Sequence, residues 1–154
     1  MVEGACVRAM LEDVNRCANH VGRLIEVRVE SGYRSVEDVD LMLAEYTRVV
    51  AKLPAAQRLV TAIDWRRCPV MSATASERMV PIMQRANPRA ERTAALASRD
   101  SPIAVMQFNR IIAESKHPDR RLFYDPEKLV TFLGEVLTAP ETARLRAFLS
   151  YEEP

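Results

Sequence analysis

An acid, arginines, a cysteine and three hydroxyl residues lie close together in "DWRRCPVMSATASERM", residues 64–79. Asp64 ends an apolar run, as does the aspartate that accepts a phosphoryl group after a central strand. That reaction also needs clustered acids to hold a divalent metal, and a lysine to pair with the phosphoryl oxygens. The preceding strand offers only Glu30, and the last one, "RRLFYD", ends without a lysine. Asp64 therefore reads as a turn cap. Cys68 as a nucleophile would need a base, and its nearest candidates, His20 and His117, are distant in sequence; their pairing with it in space stays open. His117, in "SKHPD", is expected to meet the carbonyls at a helix end. The 4 glycines show no phosphate-loop spacing, and no GxSxG elbow exists.

The bulk composition sets bounds on these readings. A chain of 154 residues with 48% hydrophobic and 28% charged residues fits one globular domain with its own core. A formal net charge of +1 supplies no long-range field for phosphates, so nucleic-acid binding is not expected. The pairs Arg66-Arg67 and Arg120-Arg121 read as solvated loop charges. The 3 cysteines, Cys6, Cys17 and Cys68, lack metal-ligand spacing, which implies reduced thiols and no metal. No signal-peptide pattern or membrane-length apolar run is present, so the expectation is a cytoplasmic protein without membrane insertion. The 7 methionines, Met71, Met79, Met83 and Met106 among them, read as core filler.

The elements that must position these side chains follow from periodicity. Residues 5–18 have helical spacing, with a short strand in the second half as the alternative. "RLIEVRVES" alternates Ile25, Val27 and Val29 against Glu26, Arg28 and Glu30, predicting a half-buried strand near 23–30. Ser35 caps a helix through Leu53, and Pro54 ends it. "RLVTAID" and "RTAALAS" predict strands covered on both faces near 58–64 and 92–98, and "RRLFYD" a short one near 121–124. Thr74 with Glu77 has capping-box spacing for a helix running to Asn87, in which Pro81 predicts a late start or a kink. Ser101-Pro102 and Asp125-Pro126 open two more helices, and Thr138 with Glu141 boxes the last. Ile25, Val27, Leu59, Ile63, Leu96, Phe123, Leu129 and Leu133 are the expected core. The sum is a single α/β domain, with a four- or five-stranded, mostly parallel sheet flanked by helices.

This order of elements resembles a known family. A half-buried strand, a long helix, a strand ending in "LVTAID", a Ser/Thr-rich turn and three further βα units are similar to the STAS domain of anti-sigma-factor antagonists and sulfate transporters. The likeness is to the STAS-like (SpoIIAA-like) form found alone in bacterial proteins. The most similar stretch is "QRANPRAERTAALASRDSPIAVMQFNRIIAESKHPDRRLFYDPEKLVTFLGEVL". The resemblance runs over residues 22–137, with 1–21 and 138–154 as extensions. It implies a non-catalytic regulatory domain, without cofactor, whose partner is another protein; a homodimer is allowed. The kinship of STAS-like folds with CRAL-TRIO carriers implies the alternative, a lipid or small-molecule binding module.

In the antagonists, the loop after the second of these strands carries an Asp-Ser-Ser-Gly whose serine a partner kinase phosphorylates. Here that stretch reads "DWRRCPVMSATASE", with no serine after Asp64 and no glycine. Ser72 is the nearest positional candidate for the phosphoacceptor, with Thr74 and Ser76 as rivals. Trp65, Arg66, Arg67 and Met71 are expected to form an exposed partner-binding face, since Trp and Arg are enriched at binding hot spots.

Overall fold

The computed structural model describes residues 15–150. Five strands, β1 (Arg16–Ala18), β2 (Leu24–Arg28), β3 (Leu59–Asp64), β4 (Ala90–Leu96) and β5 (Arg120–Phe123), form one sheet in the order β1-β2-β3-β4-β5. β1 is antiparallel to β2, and every other pair is parallel. The helices are α1 (Val36–Val50), α2 (Ala73–Ala86), α3 (Pro102–Glu114), α4 (Pro126–Gly134) and α5 (Ala139–Leu149). The expected α/β fold with a largely parallel sheet is what the chain adopts. The helix expected over residues 5–18 is corrected at its end, where Arg16–Ala18 form β1, the short strand that was the alternative; the rest of that helix lies outside the described residues.

The strand order explains the layering. β2 to β5 follow one another across the sheet, so right-handed crossovers place all three connecting helices on one face. α1, α2 and α3 there bury Val39, Met79, Met83, Phe108 and Ile111 against Ile25, Val27, Leu59 and Ile63. The opposite face has only α4 and α5 for cover. Leu129, Val130, Phe132, Leu133, Leu145 and Leu149 from these two helices pack on Leu24, Val60, Ala62, Ala94 and Leu96. Alanines in β3 and β4 let helices approach closely on both sides.

Four predicted caps hold: Ser35, Ser101, Asp125, and Thr138 with its full capping box. One does not. α2 is capped by Ser72, whose Oγ accepts from the Ala75 amide at 3.1 Å, and Thr74 lies inside the helix. The helix therefore starts early and runs through Pro81. Pro81 removes the amide that the Glu77 carbonyl would accept, and Glu77 is exposed, so water can serve that carbonyl. Phe123 is half-buried instead of core, because β5 is the sheet edge.

A second correction concerns β2. Its polar face was expected to meet water, but α5 covers it: Glu26 is only 6% exposed and accepts two bonds from Arg144, at 2.8 and 2.7 Å. Glu141 of the same helix accepts from the Arg23 amide at 2.8 Å, beside Gly22. Gly22 has a φ of +54°, and a Cβ there would meet the Glu141 carboxylate, so this junction requires glycine. Residues on both sides of 22–137 are thus woven into the sheet layers.

Candidate functional site

The residues that carry the chemistry lie at the carboxyl ends of the parallel strands and on the sheet face beneath α1 and α2. At the first place, Asp64 uses both carboxylate oxygens. Oδ1 accepts from the Arg66 amide at 3.1 Å and from Arg66 Nε at 3.0 Å. Oδ2 accepts from Arg28 at 2.7 Å and from Arg66 at 3.0 Å. The same two guanidinium groups donate to the last carbonyls of α5, Arg28 to Phe148 at 2.7 Å and Arg66 to Leu149 at 3.0 Å. Cations at a helix C-terminus meet its negative dipole end, so this cluster staples α5 to the sheet. Asp64 is a turn cap, as its sequence context implies, and Arg66 is its partner.

The expected exposed face is corrected by two burials. Trp65 continues the alternation of β3 one step beyond its end, with its amide donating to the Leu96 carbonyl at 2.8 Å. Its side chain therefore shares the face of Ile63, where it is 1% exposed and stacks on Phe108 at 4.5 Å between ring centroids. Met71 is also buried. Gln107 of α3 holds its backbone at both ends, its amide oxygen accepting from the Met71 N–H at 2.8 Å and its amide nitrogen donating to the Met71 carbonyl at 2.9 Å. Gly32, with φ +80°, admits Pro69 where a Cβ would collide, closing the loop against its neighbour. Arg67 remains exposed.

Of the three hydroxyl candidates, Thr74 is exposed, Ser72 is half-buried as the cap, and Ser76 is buried in the helix–sheet layer, which removes it from reach of a kinase. Cys17 and Cys68 are buried, and burial pushes both thiols up to about 12, the opposite of an activated nucleophile. His117 does not meet the carbonyls of α3. Its Nδ1 accepts from the Asp119 amide at 3.0 Å, so Nε2 donates to the Ala90 carbonyl at 2.8 Å and pins the turn into β5.

What replaces the buried side chains at the surface is apolar. Val70, Ile103 and Met106 are 46%, 62% and 71% exposed. Ile103 and Met106 are one turn apart on α3, and Gln107 draws the segment carrying Val70 to that helix. Met106 is thus not core filler, unlike Met71, Met79 and Met83.

The second place is a cavity of about 100 Å³ between the sheet and helices α1 and α2. Half-buried Met42, Leu43, Tyr46, Ile82 and Ala86 line its outer part. Its floor includes Thr61, Ile63, Trp65, Thr93 and Arg120. Arg120 was expected among solvated loop charges, yet it begins β5 and is 5% exposed. Its terminal nitrogens donate to Asn87 Oδ1 at 2.7 Å and the Met83 carbonyl at 3.4 Å. The signal that locates it is period two: in "RRLF" it shares a face with Leu122, which packs into the same layer. Burial pushes the Tyr46 phenol above its ordinary range, an effect that Arg89, Thr61 and Arg120 partly offset.

Among solved structures, the chain is similar to an uncharacterized protein of the DUF3478 family from Shewanella loihica PV-4, described as having a SpoIIAA-like fold. The TM-score is 0.53 at 15% identity, over 78% of this chain and 95% of that one. No family model and no curated protein matches the chain. The likeness establishes the SpoIIAA-like fold that the sequence resemblance implies.

Proposed function

We propose that this protein is a non-catalytic regulatory domain that works by binding another protein at the carboxyl edge of its sheet. The observation that carries the reading is the exposed group of Val70, Ile103 and Met106, which gathers three of the four exposed large apolar side chains among the described residues; the fourth, Leu41, stands alone on α1. Loops at the carboxyl ends of strands are the usual place for contacts in open α/β sheets. Arg67 lies exposed in the same loop, and Arg99 stacks over the Tyr124 ring at 3.8 Å beside the neighbouring one. The partner face is thus moved from Trp65 and Met71 to the residues on either side of them.

Regulation enters through Ser72 or Thr74. A phosphate there would add charge of about −1.5 to −2 at the first turn of α2, which carries no acidic residue of its own. The groups available for catalysis are committed elsewhere: Asp64 to two arginines, His117 to a turn, Cys68 to the interior. A lipid carrier of CRAL-TRIO kind would need a pocket of roughly 300–1,000 Å³, and the cavity beneath α1 and α2 holds about 100 Å³.

The test is quantitative cross-linking in cells of the native host, comparing wild type with Ile103→Asp/Met106→Asp, followed by titration of the purified captured partner. The double variant is expected to weaken that partner's binding at least tenfold with the circular dichroism spectrum unchanged. Equal binding by both proteins overturns the placement. Light scattering of the purified chain shows whether a second copy is the partner.

A further inference from the structure

The sheet face beneath α1, α2 and α3 buries one charge that no carboxylate answers. Arg120 has no carboxylate within ion-pair distance among the described residues, and its Nε–H has no hydrogen-bond acceptor there. The only other buried side-chain nitrogen or oxygen left unpartnered among the described residues is Trp65 Nε1. Both side chains line the same cavity. Trp65 Nε1 lies near the Tyr33 hydroxyl, so Arg120 Nε is the donor left with nothing. A buried polar hydrogen without an acceptor costs about 1–3 kcal/mol, and more when the group is charged, so leaving it against a cavity is expensive unless something accepts from it.

The character of that acceptor can be read from the walls. A guanidinium presents its N–H groups in a planar fork matched to a carboxylate. Most of the lining is hydrocarbon or thioether: Val39, Met42, Ile63, Met79, Ile82 and Met83. The volume of about 100 Å³ is somewhat below that of the protein cavity known to take benzene, about 150 Å³. We propose that the cavity binds a small apolar monocarboxylate, its charged end on Arg120 and its hydrocarbon body between the sheet and helices α1 and α2. Thr61 and Thr93 flank the body on the sheet side. Met42, Leu43, Tyr46 and Ile82, all half-buried, form the entrance. This site goes beyond the protein-interaction reading and does not depend on it, since no residue of the Val70–Ile103–Met106 group lines the cavity.

The test titrates the full chain with butyrate, hexanoate and benzoate, and with their uncharged amides, by isothermal calorimetry and ¹⁵N-correlated NMR. The chain has 1 tryptophan, so its indole N–H gives a single unambiguous cross-peak. Saturable binding of at least one acid is expected, at least tenfold tighter than its amide, with shifts of the Trp65 indole and Arg120 Nε–H signals. Arg120→Gln should abolish the preference for the acid. Leu43→Trp, which adds bulk at the entrance from α1, the helix that does not hold Arg120, should weaken every probe at least tenfold while the Ile103→Asp/Met106→Asp variant binds as wild type. No binding by any acid, equal binding of acid and amide, or an unchanged preference in a folded Arg120→Gln protein would overturn the proposal.

Discussion

The two faces of the sheet both bury charge, and they treat it differently. Beneath α4 and α5 each buried carboxylate is answered: Glu26 by Arg144, Asp64 by Arg28 and Arg66, and Glu141 by the amides of Arg23 and Thr138. Beneath α1, α2 and α3, Arg120 has only neutral acceptors. A matched, hydrogen-bonded pair closes a structure; an unmatched charge beside a cavity leaves chemistry unfinished. The packing differs in the same sense. The first face is filled with leucine, valine and phenylalanine, whereas the second is built on methionines and a tryptophan around a void.

The largest effect should come from removing the ring that walls the void. Trp65→Ala loses the stack on Phe108 and enlarges the cavity, and should cost about 3–5 kcal/mol in urea unfolding. A loss below about 1 kcal/mol would mean that the α1–α3 face collapses freely around gaps. Next come the two arginines, which set the faces directly against each other. Arg144→Met leaves Glu26 buried without its cation and should cost about 2–3 kcal/mol, reduced from a fully buried pair because Arg144 is partly exposed. Arg120→Met removes a charge that has no counter-ion and should change stability by less than about 1 kcal/mol. Equal losses in the two variants would erase the distinction between the faces.

The smallest effect is a pH dependence on the α5 side. Burial raises the Glu141 carboxyl, but the amides of Thr138 and Arg23, the Thr138 hydroxyl and the Arg23 charge together hold it below its ordinary 4.5. A depressed carboxyl stabilises the fold above its unfolded value, and that stability is lost as pH falls through the folded one. Wild type should therefore lose stability on acidification below about pH 4.5 more steeply than Glu141→Gln, measured as unfolding midpoints at successive pH values. Parallel acid limbs would assign the sensitivity to other carboxylates.

The elements were legible because their signals are local. Period-two alternation placed β2, and short apolar runs placed β3, β4 and β5, within a few residues, and Ser35, Ser101, Asp125 and Thr138 marked helix starts by chemistry acting over three or four positions. Ser72 was missed because Thr74 and Glu77 imitate a capping box two residues later. The site was less legible because its contacts are long-range. Trp65 looks like a surface anchor until Phe108 stacks on it, and the Asp64 cluster needs the end of α5. Glu26 looks solvated because Arg144, which buries it, is 118 positions away. Arg120 could have been placed from "RRLF", had alternation been weighed above the usual fate of an arginine pair.

The distance between β2 and α5 also has a meaning in time. Each parallel strand lies beside the one before it in the chain, so the sheet and its first three helices can assemble in the order in which a ribosome delivers them. One face is only partly covered, by α4, until α5 is made. α5 must turn back across the sheet to the second strand, where Glu141 meets the Arg23 amide and Arg144 meets Glu26. Until those residues leave the exit tunnel, Leu24, Val60 and Ala62 lack this cover, and the nascent chain presents an oily surface to its surroundings. Such a chain should depend on chaperones until α5 has emerged.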